Sequence, residues 1–180
     1  MPDAGQTLEE TAVQNTAMQA QKIISLNKFI FLSVISFGLY PIWWMFEAWR
    51  FFMQKDRLDI MPAARAVFAF LFLYPLLDEI KDYAGQRGTA CDFSPGVQYV
   101  GFVILSLLSR LPDPYWLVSV FAFIFLIPAF QALNHAKRNT HELNIIEARG
   151  FSIPQILLII AGAIFWLLVL AAFIFLDELQ

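Results

Sequence analysis

Five apolar stretches, separated by short polar segments, organise the chain from residue 29 onward. A helix needs about 20 apolar residues, within a range of about 17–25, to cross a bilayer. The stretches lack the strict apolar–polar alternation of membrane barrel strands, so helices are the predicted form. The pattern therefore predicts an all-α fold: a polytopic transmembrane helix bundle of about five spans, forming one domain over 29–176. The predicted spans are 29–46, 60–77, 95–110, 115–134 and 153–176.

Polar residues predominate at both ends of the chain. Residues 1–28 are rich in Gln, Thr and Ala, and Thr7 with Glu10 fits a capping box. This segment is predicted to be either a weak helix or a frayed, disordered tail. The first positive charge is Lys22, so no cleaved signal peptide is expected. Residues 177–180 form a short acidic tail.

Two of the predicted spans, 60–77 and 115–134, share an internal repeat. Residues 67–75 (VFAFLFLYP) and 120–128 (VFAFIFLIP) align without gaps and are identical at seven of nine positions, at an offset of 53. Such similarity marks duplicated helical units; the alternative is chance in a chain with 19 phenylalanines. Each copy ends in a proline, which removes one backbone hydrogen bond and kinks a helix. Helix kinks are predicted at Gly38, Pro41, Pro75 and Pro128, and the first two alternatively mark an interruption.

Lys and Arg residues set the predicted orientation, because those in short loops stay on the cytoplasmic side. With five spans, one side carries seven of these residues and the other carries five. This count places the N-terminus in the cytoplasm. If 60–77 instead enters and returns on one side, and the N-terminus is outside, the counts become nine and three. That arrangement obeys the charge rule better. It conflicts with the repeat, because the repeat predicts that 60–77 spans the membrane if 115–134 does.

Composition identifies the predicted solvent. Hydrophobic residues make up 59% of the 180 residues and charged residues 15%, against about 45–50% and about 25% in soluble domains. The lipid bilayer is therefore the expected partner. The net charge of −3 excludes a nucleic-acid binder that works by phosphate neutralisation. Cys91 is the one cysteine, so neither an intrachain disulfide nor a cysteine-rich metal site is possible, and we expect no metal and no cofactor.

Charged and aromatic residues alternate around the end of the first predicted span. Glu47, Arg50 and Gln54 are spaced at i, i+3 and i+7, so they share one helical face. Glu47 and Arg50 form either a functional pair or an interfacial ion pair that holds the helix end. Tryptophan prefers the membrane–water boundary. Interfacial anchors are predicted at Trp43, Trp44, Trp49 and Trp116.

Carboxylates follow the second predicted span. Asp78 and Asp82 are four residues apart, and Glu79 lies between them. Paired carboxylates bind cations or act as acid and base, although any helix that leaves the membrane here would also carry them.

Polar residues likewise end the fourth predicted span. Asn134, His135 and Arg138 share a face and suit an anionic headgroup or a partner protein, or are a solvated helix end. His141 is six residues from His135, which is too far for the zinc spacing of i, i+4. The repeat register equates Asp82 with His135, so symmetric packing would bring these two side chains together.

The first predicted span carries a set of residues that is similar to a known sequence pattern, and segments later in the chain match the same pattern. Its matching residues are Leu32, Ser33, Ser36, Phe37, Gly38, Leu39, Tyr40, Trp44 and Trp49. With 62–77, Gly162 and Trp166, these resemble a family of bacterial multi-pass inner-membrane proteins, a domain of unknown function with a Ser/Thr-Phe-Gly-Leu/Ile-Tyr…Trp signature. Similar proteins usually carry Lys or Asn where Glu47 and Ala48 stand. The resemblance implies an inner-membrane location and brings no activity or catalytic residue.

No phosphate-binding loop, nucleophile elbow or HExxH motif occurs in the sequence, so we do not expect an enzyme. The first functional hypothesis is a scaffold or accessory subunit that acts by helix–helix association, with a membrane protein or with itself. The alternative is a small solute or ion permeation protein that uses the pseudo-symmetric Pro-kinked helices. A lipid enzyme based on the carboxylates and histidines is the third.

Overall fold

The computed structural model describes residues 20–56, 60–88, 92–112, 115–140, 144–147 and 150–178. These residues are mostly helical, as the predicted all-α class requires. In chain order the elements are strand β1 (Ala20–Ile23), helices α1 (Leu26–Ile35), α2 (Leu39–Asp56), α3 (Pro62–Val67), α4 (Ala69–Gln86) and α5 (Pro95–Leu107), a 3₁₀ turn (Leu108–Arg110), a 3₁₀ helix (Tyr115–Leu126), helix α6 (Ile127–Arg138), strand β2 (Asn144–Glu147) and helix α7 (Ile153–Glu178).

Two short strands form a parallel pair beside the helices. Ala20 pairs with Asn144, and Ile23 pairs with Glu147. Over 20–23, this strand replaces the weak helix or disordered tail predicted for the N-terminal segment; residues 1–19 lie outside the described residues. The pair joins the chain before α1 to the connection between α6 and α7.

Aromatic and aliphatic side chains from α1, α2, α4 and α6 form one core. Phe29 of α1 is fully buried and stacks on Phe130 of α6, with 4.4 Å between ring centroids. Phe52 of α2 is also fully buried, against Tyr83 of α4. Aromatic pairs at such distances contribute about 0.5–1.5 kcal/mol each beyond the apolar area that they bury. Trp44 of α2 lies beside Phe130 of α6, with 6.0 Å between ring centroids, and the candidate site lies between these two helices.

The prediction of about five spans was wrong for the described residues. Two helical segments there are long and apolar enough to cross a membrane, by length and composition: Tyr115–Arg138 and Ile153–Ala172. The first of these candidate spans combines the 3₁₀ helix with α6, and the second is the greater part of α7. Two such segments are compatible with a membrane location.

Two of the other predicted spans are interrupted, and the third forms a helix that is too short to cross the bilayer. The first is interrupted between α1 and α2, where Phe37 and Gly38 have positive φ values of 51° and 81°. The second is interrupted at Phe68, between α3 and α4. The third is α5, whose 13 residues extend about 20 Å, against a hydrocarbon core of about 30 Å.

The prolines predicted as kinks lie in different structural positions. Pro75 is inside α4, while Pro128 occupies the first turn of α6, directly after the 3₁₀ helix. Pro41 is the third residue of α2, so it too lies in a first turn. The two copies of the repeat therefore differ in conformation: 67–75 crosses the α3–α4 break, and 120–128 runs from the 3₁₀ helix into α6.

Candidate functional site

A tight turn between α1 and α2 fixes the geometry on one side of the site. The backbone N–H of Tyr40 donates to Ser36 Oγ at 2.9 Å, which caps the start of α2. Ser33 Oγ donates to the Phe29 carbonyl at 2.7 Å, so this buried hydroxyl is satisfied within α1. Gly38 takes the left-handed conformation that glycine adopts without steric cost. The Ser-Phe-Gly-Leu-Tyr segment is therefore a built helix–turn–helix corner.

Helix α7 docks on this corner at very close range. A Cβ atom built on Gly162 would lie 2.8 Å from the carbonyl carbon of Ile35 and nearer still to its oxygen. Trp166 Nε1 donates to the Val34 carbonyl at 3.2 Å, and the Trp166 ring lies 4.3 Å from that of Phe37. Small residues permit such close helix approach. The contact brings the first turn of α7 beside the start of α2.

A cavity of about 690 Å³ opens between α2, α6 and the start of α7. We call it the polar cavity. At one wall, Gln155 Nε2 donates to the Tyr40 hydroxyl at 3.2 Å, and Gln155 Oε1 accepts from the backbone N–H of Ser152 at 3.1 Å. Its charged and amide lining residues, among those described, are Lys22, Glu47, Arg50, Gln54, Asn134, Lys137 and Gln155.

Basic side chains exceed acidic ones in the described lining of the polar cavity. Lys137 is 7% exposed, and its Nζ lies 4.2 Å from the centre of the Phe51 ring. Arg50 lies 3.5 Å from Glu47, and these two side chains are 49% and 40% exposed. A desolvated lysine needs compensating interactions, and the cation–π contact with Phe51 supplies part of them. The cavity therefore has a positively charged floor and an ion pair at its mouth.

A second cavity of about 680 Å³ lies on the other side of Asn134. Asn134 Nδ2 donates to the Ile24 carbonyl at 3.2 Å, and both residues line the two cavities. Asp92, His135 and Arg138 line this second cavity. Asn134 thus ties the chain before α1 to α6 and separates the two cavities.

The predicted site residues fall into three places. Glu47, Arg50 and Asn134 line the polar cavity, while His135 and Arg138 line the second one. Asp78 and Asp82 are exposed, Glu79 is half-exposed, and none of the three lines either cavity; His141 lies outside the described residues. Of the predicted tryptophan anchors, Trp43 is exposed, Trp116 is half-buried, and Trp44 and Trp49 are buried in the core.

Sequence reasoning missed Lys137, Tyr40 and Gln155. Lys137 stands one position before Arg138 in a polar helix end, so nothing in the sequence marks it as the buried one of the two. Its burial involves Phe51 of α2, a residue distant in the sequence. The predicted face of Glu47, Arg50 and Gln54 was the available signal, because all three line the same cavity.

Within the residues that the structure describes, no group of three or more His, Cys, Asp or Glu side chains is arranged to hold a metal ion. Comparison of the chain with protein-family models, curated proteins and solved structures finds no match.

Proposed function

We propose that the chain is a multi-pass protein of the bacterial inner membrane that acts by helix–helix association, as a scaffold or accessory subunit. The observation that carries this proposal is the exposure of α7. Within Ile153–Ala172, whose mean hydropathy is 2.6, Gly162 is the one buried residue and most of the others are exposed. So much apolar surface on one helix needs lipid or another helix around it.

One stripe of α7 packs on α1 and the others are unoccupied within the described fold. Gly162 is buried in this stripe, and Gln155, Trp166 and Val169 are half-buried along it, at the spacing of one helical face. Leu157, Ile160, Ile164 and Leu167 lie toward the opposite face and are 53–66% exposed. Helix α7 is thus held at one edge of the bundle.

A second face of α7 is suited to close packing. Ala161, Phe165, Leu168 and Ala172 follow the spacing i, i+4, i+7 and i+11, and all four are exposed. In lipid, apolar side chains alone do not drive association, whereas small residues allow backbones to approach. Alanines at both ends of this face favour a further helix there, from a partner or from a second copy.

Cross-linking tests the association. In a Cys91→Ser background, single cysteines at 168 and 169 compare the outward face with the stripe that packs on α1. In native membranes, Leu168→Cys should form a cross-linked product of higher mass, and Val169→Cys should form far less. Mass spectrometry of that product identifies a second copy or a different protein. If both cysteine variants remain monomeric after cross-linking, and no other protein co-purifies in mild detergent, the association is contradicted.

The permeation hypothesis is a second proposal, and the charged polar cavity is the observation that favours it. Liposomes containing the purified chain should then release or take up a solute faster than empty liposomes. Equal leak rates across a panel of inorganic ions and small metabolites would remove this proposal without affecting the first.

Cytoplasmic placement of the N-terminus is part of the proposal and has its own test. In the sequence Cys91 precedes both candidate spans, as the N-terminus does, so a cytoplasmic N-terminus would put Cys91 in the cytoplasm as well. A membrane-impermeant maleimide should then label Cys91 only after cells are permeabilised. Labelling of intact cells would reverse the orientation.

A further inference from the structure

The polar cavity lies where corresponding ends of the two candidate spans meet. Asn134 and Lys137 are in the last turns of the span Tyr115–Arg138, and Gln155 is in the first turn of the span Ile153–Ala172. The polar headgroups of a bilayer begin where the apolar part of a spanning helix ends. If the chain spans the membrane as proposed, the cavity is therefore at headgroup level.

The electrostatics of this cavity favour an anion. Lys22, Arg50 and Lys137 are basic, and Glu47 is the one acidic side chain in the described lining. Glu47 is already engaged by Arg50 at 3.5 Å. Lys137 is buried, so its charge is screened less by water than a surface lysine's would be. An anion in the cavity would meet a net positive field.

The remaining walls are apolar and aromatic. Trp43, Trp44, Phe130 and Phe151 line the cavity, and Trp43 is 46% exposed at its rim. A fully hydrated small anion gains little from such walls, whereas an amphiphile packs its upper acyl carbons against them. The volume of about 690 Å³ is within the range of about 300–1,000 Å³ that ligand sites occupy.

We propose that the polar cavity binds a phosphate-bearing anion presented by an anionic membrane lipid. Lys137 holds the phosphate at the floor of the cavity, and Arg50, with Lys22 at the rim, completes the positive surface. The tryptophans contact the apolar part of the same molecule. Association of α7 with a partner does not depend on this site, so the two proposals fail separately.

Lipid retention by the purified full chain tests the site. The chain is exchanged into nanodiscs or mild detergent and titrated with phosphatidylglycerol or phosphatidylcholine, with native mass spectrometry and tryptophan emission as readouts. Phosphatidylglycerol should bind with the lower Kd. Lys137→Gln should raise that Kd about tenfold or more, because it removes a buried charge partner. Arg50→Gln should raise it about threefold, as expected for a half-exposed charge.

Lys81→Gln is the matched control, since it removes one positive charge from a half-exposed position of α4 that does not line the polar cavity. It should leave the Kd unchanged. Arg50→Gln keeps the test decisive if Lys137→Gln fails to fold. The proposal is overturned if the two lipids bind equally well, or if Arg50→Gln and Lys81→Gln lose the same affinity for phosphatidylglycerol.

Inorganic phosphate distinguishes the source of the anion. Tight lipid binding that millimolar phosphate does not displace assigns the site to the lipid. Binding of inorganic phosphate that depends on Lys137, without retention of phosphatidylglycerol, would overturn the lipid assignment and indicate a soluble phosphate compound.

Discussion

Gly162 allows α7 to approach α1, and enlarging it tests the docking directly. In Gly162→Ala, the new methyl group would lie 2.8 Å from the Ile35 carbonyl carbon. Non-bonded carbons prefer about 3.5–4.0 Å, so the helices must separate by about 1 Å. The Trp166–Val34 hydrogen bond, now 3.2 Å long, would then exceed the usual upper limit of about 3.2 Å.

Three terms set the expected magnitude. Overpacking typically costs about 1–3 kcal/mol, and a lost hydrogen bond adds about 0.5–1.5 kcal/mol. Alanine has a higher helix propensity than glycine, which returns up to about 1 kcal/mol. We expect Gly162→Ala to lower the free energy of unfolding by about 1–3 kcal/mol.

Reversible unfolding of the purified chain in mixed detergent micelles, followed by tryptophan emission, measures this change. Leu157→Phe is the control, because it enlarges an exposed side chain on the opposite face of α7 without entering the contact. Its unfolding free energy should stay within about 0.5 kcal/mol of wild type. A Gly162→Ala variant as stable as wild type, or more stable, would refute the docking, since helix propensity alone predicts that result.

Three further substitutions probe other contacts by the same unfolding measurement. Gly101→Ala should destabilise the fold by about 1–3 kcal/mol, because its Cβ would lie 2.5 Å from Cζ of Phe125 and nearer to two other ring carbons. Adding Phe125→Leu should restore the lost stability, and no recovery would contradict that contact. Tyr83→Phe should cost about 0.5–1.5 kcal/mol through its 2.9 Å hydrogen bond with Thr140, and no loss would place the hydroxyl in water. Glu47→Gln should change stability by less than about 1 kcal/mol, because its ion pair is solvent-exposed, so a larger loss would indicate a desolvated pair.

Local spacing predicted the parts of the site that lie on one helix. The i, i+3 spacing of Glu47 and Arg50 sets their 3.5 Å ion pair, because both side chains belong to the same helical face of α2. The shared helical face of Glu47, Arg50 and Gln54 likewise predicted that these side chains lie together, and all three line the polar cavity. Such features need only helix geometry, which the sequence encodes directly.

Features that depend on tertiary packing were not predictable. The hydropathy of 29–46 predicted one span, and the choice between a kink and an interruption at Gly38 and Pro41 stayed open; the structure has a turn at Phe37 and Gly38. The two copies of the repeat adopt different backbones: 67–75 crosses the break between α3 and α4, whereas 120–126 forms part of the 3₁₀ helix that packs on α5. Lys137 is buried beside Phe51 of α2, a contact between two helices that no local pattern reports.

Membrane integration is the claim on which the account depends, and alkaline carbonate extraction of membranes from cells that produce the full chain tests it most directly. The account predicts that the chain stays in the membrane pellet, because α7 exposes apolar side chains on the faces that do not pack on α1. Release into the supernatant would contradict it, and would make Tyr115–Arg138, which is 44% buried, the core helix of a protein that does not cross the membrane.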